Sequence, residues 1–269
     1  MPPVKNSPQP TSASQPPAAK AVVFAAFFLS GLTALVYEAI WMRMLTFTFG
    51  STTLAVSAAL AAFMAGLAIG CYVFGRIADR VKNHVKTYIL LEILIGLYGI
   101  STLYTLTNLD KIYGPLLELI SGDFYLLTAI RFVLAFIVIG VGAVLMGGTL
   151  PVISRIVIQE KDAIGEQFGT LYAVNTFGAV FGVLLAGYLL IPLFGLWNGI
   201  ATAALINFAI AGYFFFFMAR KQKTIAVQPI KTDVATSGEI NLNSAVGSRT
   251  GRSRSLTQLL FPGSSNRSS

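Results

Sequence analysis

Charge is what this chain has least of. Only 11% of its 269 residues are Asp, Glu, Lys or Arg, against roughly 25% in soluble domains. An ordinary water-soluble globular enzyme is excluded by that balance. Cysteine and histidine are nearly absent too: Cys71 and His84 stand alone. A disulfide framework within one chain and a His/Cys metal cluster are therefore both excluded. No metal and no cofactor are expected, and no residue set amounts to a catalytic site. Cys71, between Gly70 and Tyr72, reads as a small packing residue, and His84, in a basic loop, as a solvated one.

Apolar sequence fills the space. Hydrophobic residues make up 55% of the chain, and from Gln167 to Ala219 there is no Asp, Glu, Lys, Arg or His. A helix needs about 20 apolar residues to cross the roughly 30 Å of bilayer hydrocarbon. The pattern predicts an all-α membrane protein with six transmembrane helices, at about 22–46, 53–75, 87–107, 125–150, 168–191 and 197–219. The fourth ends near Pro151; Pro192, Gly195 and Asn198 make the turn between the last two. Between the third and fourth, Ile112, Leu116, Leu119 and Ile120 recur at helical spacing, which suits a short interfacial helix. Residues 1–20, with six prolines, read as a disordered leader. Residues 21–219 form the membrane domain and 220–269 a disordered basic tail.

The net charge of +8 belongs mostly to that tail, which holds eight Lys/Arg against Asp233 and Glu239. It has no interleaved aromatics and no recognisable module, so nucleic acid is not an expected partner. With six crossings, the N-terminus, the 76–86 and 152–166 loops and the C-terminus share one side and hold 16 of the 19 Lys/Arg. The positive-inside rule makes that side cytoplasmic, in an inner (plasma) membrane. Arg220, Lys221 and Lys223 fix topology, with anionic lipid as a further contact.

The second and fifth segments resemble one another. Thr53, Val56, Gly66, Gly70 and Tyr72 align with Thr170, Val174, Gly182, Gly187 and Tyr188, with Thr53 and Gly70 each 117 residues from its counterpart. Two units of three helices must enter the membrane in opposite senses, the inverted 3+3 repeat of many secondary transporters. Gly66 and Gly70, like Gly178 and Gly182, put small residues on one helical face for close packing, or for a moving or dimerising surface.

Four ionisable side chains fall in or beside the hydrocarbon: Glu38, Arg43, Glu92 and Arg131. A charge there costs about 2.5–3.5 kcal/mol on insertion scales, so each needs a partner or water. Glu38 and Arg131 come to similar depths at about 1.5 Å per residue, which predicts an ion pair between the first and fourth helices. That pair is either structural or part of a substrate or proton site. Arg43 is expected to snorkel outward. Glu92, near the cytoplasmic end of its helix, is expected to meet Arg76 or Arg80.

Motifs run in order along much of the membrane domain: Ser30-Gly31, Leu35-Val36-Tyr37-Glu38 with Trp41 and Arg43, Gly50-Ser51-Thr52, Ala62-Phe63-Met64-Ala65-Gly66, Gly75 with Ala78-Asp79-Arg80, Glu92 with Ile95-Gly96-Leu97-Tyr98, Met146-Gly147 with Thr149-Leu150-Pro151, and Leu171-Tyr172 with Val174-Asn175-Thr176 and Gly178-Ala179. From about 28 to 217 the chain resembles the membrane domain of bacterial proteins that fuse a major-facilitator-like half to a spermidine synthase. The resemblance implies half of a major-facilitator-like fold, with Gly75, Asp79 and Arg80 as a cytoplasmic gating loop. It adds Tyr37 and Asn175 to Glu38, Glu92 and Arg131 as substrate or ion-pair candidates. The soluble aminopropyltransferase-like domain of that family has no counterpart in residues 224–269, which hold no G-x-G-x-x-G. The chain is therefore expected to be a truncated, split or frameshifted member, or a free-standing half, and not itself an enzyme. Beyond the lipid bilayer, the expected partners are a second copy or another membrane half, and a synthase in trans. Two functions follow: transport or channelling of polyamines or related cations, or a non-transporting membrane anchor.

Overall fold

Every regular element among the described residues is helical, as a chain that must satisfy its backbone inside lipid requires. A computed structural model describes residues 17–119, 124–158 and 164–226. The rest of the leader and the tail beyond 226, with the features expected there, lie outside the described residues. Helix α1 spans Pro17–Phe49, α2 Thr53–Arg80, α3 His84–Thr107 and the short α4 Asp110–Leu119. Helix α5 (Phe124–Ala135) runs through a π-helical turn, Phe136–Gly140, into α6 (Val141–Val157). Helix α7 (Ile164–Leu185) likewise passes into π-helical turns, Ala186–Phe194, before α8 (Gly195–Ala226).

Five apolar stretches are long enough to cross a bilayer: Ala21–Phe49, Thr53–Arg80, His84–Thr107, Phe124–Val157 and Gly165–Phe216. This is a multi-pass membrane protein. The last stretch has 52 residues, about 78 Å as a straight helix, far more than the hydrocarbon thickness. It is broken at Gly195, whose φ of 75° lies in the left-handed region that glycine adopts without strain. Before the break the chain packs on α1; after it α8 packs on α3 and α1.

Several boundaries differ from the sequence expectation. Helix α1 begins at Pro17, inside the expected leader, where proline suits a first turn. Helix α6 does not end at Pro151 but continues to Val157; inside a bundle, neighbouring helices tolerate the bond that proline removes. Pro192 lies within the π-helical turns rather than in a loop, and the turn itself is made by Gly195. Residues Gly75–Arg80 are the last turns of α2, not a loop, and only Val81–Asn83 link α2 to α3.

Glycine decides which helices touch. A Cβ on Gly70 would collide with the Val144 carbonyl, one on Gly66 with Gly140 and Ala143, and one on Gly147 with the Leu67 carbonyl. Thus α2 and α6 meet backbone to backbone. On the other side of the bundle, Gly178 and Gly182 of α7 press on the Phe28 and Leu32 carbonyls of α1 in the same way. The two contacts correspond residue by residue. Gly66 and Gly178, Gly70 and Gly182, Phe28 and Gly140, and Leu32 and Val144 are each 112 residues apart. These contacts share an offset of 112 residues and not the expected 117, and Gly187, which that expectation matched to Gly70, has open space around it.

Two apolar clusters fill the interior. One gathers Tyr37, Ile40 and Trp41 with Phe63, Ile95, Met146 and Ala203. The other gathers Phe27, Tyr88, Leu91, Ile153 and Phe214. Outside, large apolar side chains such as Phe177, Tyr188 and Leu205 are exposed, a surface that suits lipid. Cys71 is on that exposed side and does not pack inside the bundle. Because overpacking a tight contact typically costs about 1–3 kcal/mol, Gly70→Leu and Gly182→Leu should each lower the melting midpoint in detergent by several degrees. Gly187→Ala should leave it unchanged; equal midpoints for all three would contradict this packing.

Candidate functional site

Between the two apolar clusters lies a polar layer. On α1, Ser30 and Thr33 fall between Phe27 and Val36; on α3, Glu92 falls between Leu91 and Ile95. On α6, Thr149 lies between Met146 and Val152, and on α8, Asn207 lies between Ala203 and Ile210. All five of these polar residues are buried.

Glu92 is the centre of the layer and is completely buried. Ser30 Oγ donates to its Oε1 at 2.7 Å, and Asn207 Nδ2 donates to its Oε2 at 2.6 Å. Tyr37 Oη donates in turn to Asn207 Oδ1 at 3.3 Å. One hydrogen-bonded chain therefore joins α1, α3 and α8. Tyr88 Oη is also buried close to Glu92, without reaching hydrogen-bond geometry. No cation stands within ion-pair distance of Glu92 among the described residues; the ion pair found there is Asp79–Arg155. A carboxyl group this deep in a membrane bundle must either carry a proton or be met by a cation that the protein itself does not supply.

Aromatic side chains hold this arrangement on α1. Tyr37 stacks on Trp41 with ring centroids 5.4 Å apart, and Trp41 meets Tyr98 edge-on at 6.5 Å. Trp41 Nε1 donates to Thr102 Oγ1 at 2.8 Å, so its one polar atom is satisfied. Gly99 and Gly142 make room for these rings. Tyr98 Oη donates to the Val138 carbonyl at 2.6 Å, within the π-helical turn where backbone acceptors leave the regular ladder.

A cavity of about 90 Å³ opens beside the layer, lined by Ser30, Gly31, Thr149, Asn175 and Asn207 among apolar neighbours. Asn175 Nδ2 donates to the Phe27 carbonyl at 3.1 Å. Glu38 is buried one helical turn from Ala34 and Leu35, on the α1 face that lines the cavity.

Two expected pairings are corrected. Arg131 does not meet Glu38: its Nε donates to Tyr113 Oη at 2.9 Å, and Tyr113 also packs against Phe49. Equal depth did not bring the two charges together, because α5 packs on α2 and not substantially on α1. Glu92 meets neither Arg76 nor Arg80; Arg76 instead lies over the Tyr72 ring, 4.3 Å from its centroid. With α3 starting at His84, Glu92 lies about 12 Å in, well beyond the reach of that end. Arg43 is exposed.

Asp79 pairs with Arg155 across the ends of α2 and α6, and both side chains are more than half exposed. Asp79 stands in the last turn of α2, where a negative charge is disfavoured by the helix dipole and Arg155 offsets it. Arg80 ends the helix and is exposed, while Gly75 lies against Pro151 of α6. His84 is not simply solvated: its Nε2 is 2.9 Å from the Ala78 carbonyl at the end of α2.

Of the sequence candidates, the structure brings Tyr37 and Glu92 into one network, puts Asn175 on the adjoining cavity and leaves Arg131 elsewhere. Ser30, Thr149 and Asn207 were missed. Asn207 had a signal, as the one carboxamide in the apolar run 199–217.

Comparison with family models, with curated proteins and with solved structures finds no match for this chain. Breaking the network by Asn207→Leu leaves both Tyr37 Oη and Glu92 Oε2 without their partner, a cost of about 1–3 kcal/mol for each buried group. Arg155→Gln removes an exposed pair that contributes roughly 0–1 kcal/mol. Thermal unfolding should therefore show a clear loss for the first variant and little for the second. A reversed order would contradict the placement of the network.

Proposed function

We propose that this chain is one half of a transporter-like membrane fold that carries or channels a cation, with Glu92 as the cation-facing carboxyl group. The single observation behind the reading is the buried Glu92 carboxyl, held by Ser30 and Asn207, beside a cavity and without a cationic partner among the described residues. A purely structural polar contact between helices is met by neutral side chains; a carboxyl group at that depth adds a cost that a cation or proton can relieve.

In this reading the break at Gly195 is a turn, and the chain crosses the membrane six times with both ends on the cytoplasmic side. The six helices form an inverted 3+3 repeat. Support comes from the pairing of α2 with α6 and of α7 with α1 at one common offset, and from the pairing of α3 with α8, whose positions also correspond at that offset. Transporters of such symmetry bind their substrates near the membrane midplane, at the interface between repeats. Glu38, on the cavity face of α1, is a second carboxyl group along the same path. The motifs from Ser30 to Ala179 support kinship with the membrane part of spermidine synthase fusions, and with it a polyamine or related cation as the substrate. A half bundle needs a second copy or another membrane half to enclose a path.

Uptake of labelled spermidine into vesicles reconstituted with the full chain tests this. Wild type should accumulate the label. Glu92→Gln should reduce uptake at least about tenfold, the loss of roughly 1.4 kcal/mol of cation binding, and Glu38→Gln should reduce it less. Absence of uptake by wild type would remove the transport reading and leave that of a membrane anchor.

A further inference from the structure

The cavity beside Glu92 has a chemical bias that its volume alone does not reveal. Four polar side chains from four helices line it: Ser30 of α1, Thr149 of α6, Asn175 of α7 and Asn207 of α8. Each commits a donor to the protein framework. Ser30 Oγ donates to Glu92 Oε1 at 2.7 Å, Thr149 Oγ1 to the Met146 carbonyl at 2.7 Å, Asn175 Nδ2 to the Phe27 carbonyl at 3.1 Å and Asn207 Nδ2 to Glu92 Oε2 at 2.6 Å. A hydroxyl has one hydrogen, so Ser30 and Thr149 have none left to offer a ligand. Their oxygen lone pairs remain, as does the carboxamide oxygen of Asn175.

Asn175 and Asn207 each keep a second N–H, but the Glu92 carboxyl group held by Ser30 and Asn207 makes the site a poor one for an anion. A cation is well served, because oxygen dipoles can replace part of its hydration shell. The charge balance points the same way. Glu92 touches two of the four polar lining residues and, once it gives up its proton, places one negative charge behind them. One carboxylate matches one positive charge, whereas calcium-type sites gather several oxygen ligands around more than one acid. Size adds a limit: about 90 Å³ holds a handful of waters at roughly 10–15 Å³ each, or one partly hydrated ion. A polyamine does not fit along its length.

We propose that this cavity is a binding site for a small monovalent cation, an alkali metal ion or ammonium. The oxygens of Ser30, Thr149 and Asn175 hold it, and Glu92 balances its charge from behind Ser30 and Asn207. The inference deepens the cation reading above and rests on it for Glu92, but it assigns this cavity to a small ion and not to the polyamine itself.

The test is the melting midpoint of the purified full chain in detergent, titrated with sodium, potassium or ammonium chloride against choline chloride at constant ionic strength. At least one of the three ions should give a saturable stabilisation that choline does not. Thr149→Val should shift the half-saturating concentration at least tenfold, Thr149→Ser should restore it, and Glu92→Gln should abolish the effect. Midpoints in choline alone show whether each variant is folded. No ion-specific stabilisation in wild type, or an unchanged titration in both Thr149→Val and Glu92→Gln, would overturn the site. Stabilisation by spermidine but by none of the three ions would also overturn it, while leaving the transport reading intact. Ion stabilisation in a chain that takes up no spermidine would keep the site and remove polyamine transport.

Discussion

A carboxyl group sealed inside a lipid-spanning bundle sets the terms for everything packed around it. Glu92 has no water-exposed surface, and the hydrocarbon offers no donor to replace what water would give. Both of its oxygens are therefore met by side chains from other helices, Ser30 on α1 and Asn207 on α8. Those contacts fix the rotation of three helices about their axes, since a modest turn of any of them would strand a buried polar atom. Tyr37 extends the constraint by donating to Asn207 and stacking on Trp41, which carries it up α1. The apolar clusters on either side supply packing but not this directional specification.

The glycine contacts work in a different way and complement the polar layer. Where α2 meets α6 and α7 meets α1, there is no side chain between the backbones at Gly70 or Gly182, so the helices approach through carbonyls. In lipid, where burying apolar surface drives no association between helices, such close van der Waals contact is a main source of cohesion. It also explains where the cavity is. Helices drawn together in two tight pairs leave a space where the pairs face each other, and Ser30, Thr149 and Asn175 look into it from α1, α6 and α7.

Much of the fold could be read from the residues, because hydropathy and helix length follow directly from bilayer thickness. The membrane class, the first long apolar helices and the close packing at Gly66, Gly70, Gly178 and Gly182 were legible, and so was the oddity of Glu92. The last two expected crossings, however, fall in one 52-residue apolar stretch. What could not be read was which helices become neighbours. Glu38 and Arg131 were matched by depth, but an ion pair also needs neighbouring helices; α5 packs on α2, and Arg131 donates to Tyr113 instead. The partners of Glu92 were hidden for the same reason: Ser30 and Asn207 are 62 and 115 residues away. The 117-residue offset was chosen among small residues that recur often in membrane helices, whereas the close backbone contacts of Gly70 and Gly182 lie 112 residues apart and Gly187 makes none. Asp79 was expected in a loop, whereas α2 extends through Arg80.

The central claim is that the Glu92 carboxyl group responds directly to cations. Difference infrared spectroscopy on the reconstituted chain, with and without added cation, observes carboxyl bands without depending on transport. A cation-induced change in those bands that disappears in Glu92→Gln is the result this structure leads one to expect. Carboxyl bands that do not change on cation addition, or that change identically in the variant, would contradict it.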